Sequence, residues 1–248
     1  MKKGLTILLV LAVVVASAVW LSQSVPSAPD FTQYEAGEER KQVFFNYFLP
    51  LVREHNATIR ERRSQIQQWA DSQELSWWDE RTLNEWLEMY RVEDFDPEQP
   101  DDWQRLLRKV DIVPPSLALA QAANESAWGT SRFARKANNY YGQWCFSDGC
   151  GLVPQSRDAG ANHEVAAFDS PQQSVQRYML NLNRHHAYQE LRQIRAQLRA
   201  KDKPITGLVL AEGLQSYSER GQEYIDELRS MIRYNELDEY DHQNLAAR

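Results

Sequence analysis

Residues 117–144 read LALAQAANESAWGTSRFARKANNYYGQW, and the fold turns on how this stretch is read. Pro114, Pro115 and Ser116 precede it, and prolines suit the first positions of a helix. Leu, Ala and Gln are strong helix formers, and Gly129 is a natural residue just past a helix end, so the spacing predicts a helix over 117–128. Gln121, Ala122, Glu125 and Trp128 then share one face, and Glu125 lies in the last turn. The negative end of the helix dipole and partial burial both disfavour a carboxylate there. Such a site keeps a glutamate protonated near neutral pH, the state a general acid requires. The competing reading is a solvated carboxylate at a helix end.

The residues beyond the helix separate these two readings. Asn138, Asn139, Tyr140, Tyr141, Gly142, Gln143 and Trp144 concentrate amides and aromatics within seven residues. Amides hydrogen-bond sugar hydroxyls and N-acetyl groups, and aromatic faces stack on pyranose rings. An ordinary aromatic-rich turn is the alternative. The run Ala123-Asn124-Glu125-Ser126-Ala127-Trp128-Gly129-Thr130-Ser131, followed by Asn138-Asn139-Tyr140-Tyr141-Gly142, resembles the core motif of the bacterial glucosaminidase domains of glycoside hydrolase family 73. The likeness covers roughly residues 100–235 and continues through Trp144-Cys145, Cys150-Gly151 and Tyr217-Ser218-Glu219-Arg220-Gly221.

That resemblance implies a mainly helical α+β, lysozyme-like fold, with a helical lobe carrying the acid, a small β-hairpin lobe, and a groove between them. It implies Glu125 as general acid, in agreement with its helix-end position. Asn138, Asn139, Tyr140, Tyr141 and Trp144 are the expected substrate-binding residues. The family draws a second acid from the β-lobe. Glu164 is the best-placed candidate, with Asp158 as fallback and Asp169 read as a helix-cap neighbour. The hairpin is short for the family, and the alternative to a protein carboxylate is the substrate's own N-acetyl group acting as internal nucleophile. Tyr217 matches a tyrosine that the family places beside the acid, with a core tyrosine as the alternative, and Tyr224 reads as packing.

Cys145 and Cys150 bracket Phe146-Ser147-Asp148-Gly149, and Asp-Gly is a strong turn signal. A tight turn brings flanking cysteines together, so a disulfide is expected, with two free buried thiols as the alternative. Two cysteines lack the four ligands of a structural zinc site, and the five histidines show no metal-binding spacing. No metal and no cofactor is expected.

The 248 residues carry 28 basic and 35 acidic side chains, a net charge of −7. Lys2 and Lys3 are the only charges before Asp30, and without them 26 basic groups face 35 acidic ones, −9. An acidic domain lacks the basic face that nucleic acid needs, which excludes that class of partner. Lys2-Lys3 followed by the uncharged stretch 5–21 reads as an export segment. Seventeen residues is near the lower limit of a membrane span, and small residues at Ser17-Ala18 or Ser27-Ala28 offer cleavage points. Signal peptide and inner-membrane anchor both stay open, the anchor being favoured, and either places the domain in the periplasm or cell envelope.

Four regions result: 1–29 as export segment and linker, 30–102 as an N-terminal helical region, 103–237 as the catalytic domain, and 238–248 as a polar, frayed tail. Helices are expected over 38–73, with a kink or break at Pro50 and a solvated charge run at Arg60 to Arg63. Further helices are expected over 77–92, packing Trp78, Leu83, Trp86, Leu87 and Tyr90, and over 103–110. After the cysteines, 151–154 and 164–168 read as two strands of a hairpin. Ser170, Pro171 and Gln173 then open a helix with a capping box, whose buried face is Val175, Tyr178, Met179 and Leu182. Helices over 187–200, 207–217 and 222–234 complete the chain.

The favoured function is an exported endo-β-N-acetylglucosaminidase acting on peptidoglycan glycan strands. A muramidase or lytic transglycosylase is the neighbouring alternative, and a non-catalytic glycan-binding envelope scaffold is the alternative of another class.

Overall fold

The computed structural model describes residues 27–155, 157, 160 and 162–242. The expected export segment and Asp158 therefore lie outside the described residues. No described helix is long and apolar enough to cross a membrane.

Helix α1 (Glu38–Ser72) is one 35-residue rod, uninterrupted at Pro50 where the sequence suggested a break. Its apolar stripe explains this: Phe48, Leu51 and Val52 flank the proline and are buried, so tertiary packing outweighs one missing backbone hydrogen bond. Phe31, Phe44, Phe48 and Tyr140 form an aromatic cluster with ring centroids 4.6–6.5 Å apart. Burying each phenylalanine contributes about 1.5–3 kcal/mol relative to exposure. Helix α2 (Trp77–Tyr90) opens with a capping box between Ser76 and Asp79. It buries Leu83 and Tyr90 as expected, but Trp78 is 68% exposed and Trp77 61%. Both tryptophans sit in the first turn, before the stripe meets the core.

Helix α3 (Pro100–Lys109) starts three residues earlier than expected because Pro100 occupies the first helical position. Helix α4 (Pro115–Ser126) is buried on all sides from Pro115 to Ala123, and α1 packs along it. Two polar devices hold its entry. Asn56 of α1 donates to the Val113 carbonyl at 2.8 Å and accepts from its N–H at 3.1 Å. Asp111, also buried, is gripped by Arg199 at 2.6 and 2.9 Å, with Arg195 and Arg63 at 3.8 and 3.6 Å. The charge run at Arg60 to Arg63 is therefore not a solvated face: Arg63 turns inward to Asp111 and donates to the carbonyls of Leu107 and Val110.

Helix α5 (Arg132–Ala137) was not anticipated; Ser131 caps it, and it ends at Asn138 in the left-handed conformation. The β-lobe is a three-stranded antiparallel sheet rather than a hairpin, with β1 (Trp144–Cys145) and β2 (Gly151–Leu152) on either side of β3 (Glu164–Ala166). Trp144 pairs with Val165 and Gly151 with Ala166. Helix α6 (Pro171–Arg184) has Ser170 as its cap, and the four residues named for its buried face are all buried. Gln173 reaches back one residue beyond the cap and accepts from the Asp169 N–H at 2.8 Å, so the box closes on Asp169.

The chain ends with α7 (Gln189–Ala200), the short α8 (Gly207–Leu210), a 3₁₀ turn over Ala211–Leu214, α9 (Gln222–Tyr234) and α10 (Glu239–His242). The expected frayed tail is corrected up to His242. Asp241 is buried and accepts from the Ser116 N–H and hydroxyl and from the Gly207 N–H at 2.6–2.9 Å. One carboxylate thus satisfies the N-terminal donors of both α4 and α8. One apolar core runs from Phe31 to Leu237, so the N-terminal helices brace the α4 lobe directly.

Candidate active site

The site is built at the C-terminal end of α4. Ala127, Trp128 and Gly129 follow it with φ of 49°, 58° and 77°, three left-handed residues in succession. They end the helix two residues before the expected stop and take Trp128 off the face of Glu125. Ser126 holds the turn, donating to the Ala122 carbonyl and accepting from the Gly129 N–H. At Gly129 a side chain is impossible, because a Cβ would lie 2.2 Å from the Phe31 ring.

Glu125 is half-buried in the last turn, as the sequence suggested. Burial pushes its carboxyl above the usual range. Bonds from Tyr224 and Asn124 and the charge of Arg220 pull the other way, and Glu227 adds a small upward push. The Tyr224 hydroxyl donates to Oε1 at 2.8 Å. It is the end of a chain: Tyr178 donates to Gln121 Oε1 at 2.6 Å, and Gln121 Nε2 donates to Tyr224 at 3.0 Å. Oε2 faces Gly142, where a Cβ would sit 3.2 Å away. Gly142 has φ 62° and is exposed, so the second carboxyl oxygen borders an open edge without a side chain.

Asn139 is why Gly142 is there. Its Oδ1 accepts from the N–H groups of Tyr141 and Gln143, and its Nδ2 donates to the carbonyls of Gln143 and Ala166 at 2.8 Å. One side chain thus shapes the 139–143 turn and ties it to β3. Of the residues expected to bind substrate, Asn139, Tyr140 and Tyr141 are buried and leave no surface for a ligand. Tyr140 packs on Phe48, and Tyr141 stacks on Tyr178 with centroids 3.8 Å apart. Asn138 donates to the Phe168 carbonyl. Trp144 differs: it is 60% exposed and stacks on His163 at 4.3 Å, an open aromatic face beside the site.

Glu164 is engaged within the β-lobe. Its carboxylate accepts from the Gly149 N–H at 3.2 Å and the Gly151 N–H at 2.8 Å, clamping the turn of the β-lobe. That turn is closed by a Cys145–Cys150 disulfide. Among the described residues these three side chains are the one grouping with metal-ligand proximity, and the bonded sulfurs offer no thiolate. Asp169 sits at the mouth of α6, as expected.

Tyr217 lies beside the acid without touching it. Its hydroxyl donates to the Tyr141 carbonyl at 2.8 Å, and its ring stacks on Tyr224 at 5.5 Å and 3°. Tyr224, read from the sequence as packing, is the tyrosine that bonds Glu125. The two are 99 residues apart, so no local pattern pairs them. Gln121 was legible, because it sits one helical turn before Glu125.

With this geometry in view, residues 100–237 match the Glucosaminidase family, described as mannosyl-glycoprotein endo-beta-N-acetylglucosaminidase. Protein bax of Escherichia coli strain K12 is 33% identical over 216 residues, covering 85% of this chain and 75% of that protein. No solved structure matches the chain.

Proposed function

We propose, from the fact that this chain belongs to the glucosaminidase family, that it is an exported glycosidase cutting peptidoglycan glycan strands with Glu125 as general acid. One observation carries the reading: Glu125 is held by Tyr224 through Oε1 while Oε2 faces the bare edge at Gly142. Tyr224 donates to Oε1, so the acidic proton belongs on Oε2, the oxygen a glycosidic bond can approach. Burial pushes the carboxyl above its usual range, the direction a general acid needs. Trp144 offers a stacking face for a neighbouring sugar.

Glycoside cleavage also needs stabilisation of an oxocarbenium-like centre. Glu164 is engaged by two backbone amides, which favours the substrate's N-acetyl oxygen as the internal nucleophile. The proton passes from Oε2 to the leaving oxygen as the glycosidic C–O bond breaks and the acetamido oxygen bonds the anomeric carbon; the ionised Glu125 then draws a proton from water as it attacks that carbon and displaces the acetamido oxygen. The disulfide supports an oxidising compartment and hence export.

The same single-acid arrangement also fits a lytic transglycosylase, in which a sugar hydroxyl replaces water. Incubating the full chain with purified sacculi and identifying the new ends by mass spectrometry decides between them. N-acetylglucosamine at the reducing end supports the proposed glucosaminidase. N-acetylmuramic acid or its anhydro form assigns the alternatives. Binding without any released fragment would leave a scaffold and sink the proposal.

A further inference from the structure

We infer that the hollow between α1, α7 and the 202–206 loop is a second binding site, taking an oxyanion such as a phosphate or carboxylate group. It measures about 800 Å³ and is lined by Arg60, Arg63, Arg199 and Lys203, against the carboxylates of Asp202 and Asp241. On a chain of net charge −7 such a cationic lining is out of keeping with the rest.

The acids near the hollow do not neutralise it. Asp241 is committed to the amides of Ser116 and Gly207, the N-termini of α4 and α8. Asp202 is exposed. Behind the wall, Asp111 is the carboxylate for Arg63, Arg195 and Arg199 together, and Arg199 occupies both of its oxygens. Arg60 is left over. Its Nη2 is buried with no hydrogen-bond partner among the described residues. A guanidinium nitrogen without an acceptor costs free energy, and the Arg60 side chain lines the hollow, where an anion would meet its charge. Burial first and the neighbouring Arg199 second press its pKa downward, with Asp111 acting the other way.

The hollow is separate from the acid. Ser116, which bonds Asp241 at its wall, and Glu125 lie nine residues apart on α4, about 14 Å along the helix axis. Ligand here would therefore bind away from Glu125.

Isothermal titration of the full chain tests the site, with sodium phosphate and sodium acetate against sodium chloride at equal ionic strength. The expected result is saturable one-to-one binding of at least one oxyanion, weakened at least fivefold by Arg60→Gln and by Lys203→Gln. Lys203 is exposed, so its replacement leaves the fold intact if Arg60→Gln does not. A response to phosphate alone identifies a phosphorylated ligand, a response to acetate alone a carboxylate ligand, and equal responses a site that reads charge. No saturable binding, or affinities unchanged in Lys203→Gln, overturns the inference.

Discussion

At the scale of single residues the chemistry rests on the two oxygens of Glu125. Replacing it with glutamine preserves the shape and the bond from Tyr224 but removes the proton. The expected outcome is a loss of turnover of at least about 100-fold with glycan binding retained. Most of the parent rate surviving in purified Glu125→Gln would refute the acid assignment. The same variant carries a stability signature. Glu125 has its pKa raised in the folded chain, so the folded state holds its proton to higher pH than the unfolded state. Its favourable contribution is complete below the unfolded value near 4.5 and is lost as pH rises through the folded value. Glu125→Gln should therefore melt above the parent at pH 7, with the gap closing toward pH 4.5; a pH-independent gap would contradict this. Tyr224→Phe removes a hydroxyl that favours the ionised carboxyl, so the alkaline limb of the rate profile should move to higher pH. An unmoved limb would make Tyr224 a packing residue after all. The helix-end position of Glu125 was legible because it is set within its own helix. Tyr224 was not, because its partner is fixed only when α9 docks on α4. The burial of Asn139 and Tyr140 was not legible, because amides and aromatics suit sugars and cores alike and only packing separates the two.

At the scale of elements, the β-lobe illustrates what short-range signals reach. Asp148-Gly149 between two cysteines was enough to expect the turn and its bridge. The third strand was invisible, because two residues at Trp144–Cys145 carry no alternation and become a strand only by pairing with Glu164–Ala166. Likewise α10 was hidden: a short polar segment has no apolar stripe, and Asp241 is held in place by donors on two distant helices. In the lobe the disulfide and Glu164 brace the same turn. The chain-entropy relation gives a bridge closing so short a loop about 2 kcal/mol. Reduction should speed hydrogen exchange at the Gly149 and Gly151 amides, and Glu164→Gln should do the same without reductant while sparing most activity. If Glu164→Gln instead abolished turnover with exchange unchanged, Glu164 would be the second acid and the internal-nucleophile mechanism would fall.

For the whole molecule, the question is what keeps the N-terminal helices and the acid-bearing helix in one body. The apolar core crosses between them, but hydrophobic contact alone is tolerant of sliding, whereas a buried ion pair demands one register. Asp111 supplies it, lying at the junction of α3 and α4 and drawing Arg63 from α1 and Arg195 and Arg199 from α7 onto one carboxylate. Burial pushes Asp111 upward, yet the bonds from Arg199 and the charges of Arg195 and Arg63 outweigh it and hold the pKa below the ordinary 3.8. With the folded value lowered, the stabilisation is present above the unfolded pKa and is lost as pH falls through the folded one. Asp111→Asn leaves three guanidinium groups facing a neutral amide at every pH. Breaking a buried pair in this way costs about 3–5 kcal/mol, which at this chain length lowers Tm on the order of 10 °C. The deficit should shrink in acid, where the parent loses the same interaction, and thermal melts of both proteins from pH 7 to pH 3 would show it. A deficit that stayed constant down to pH 3, or none at pH 7, would mean that the apolar core alone sets the register on which the position of Glu125 depends.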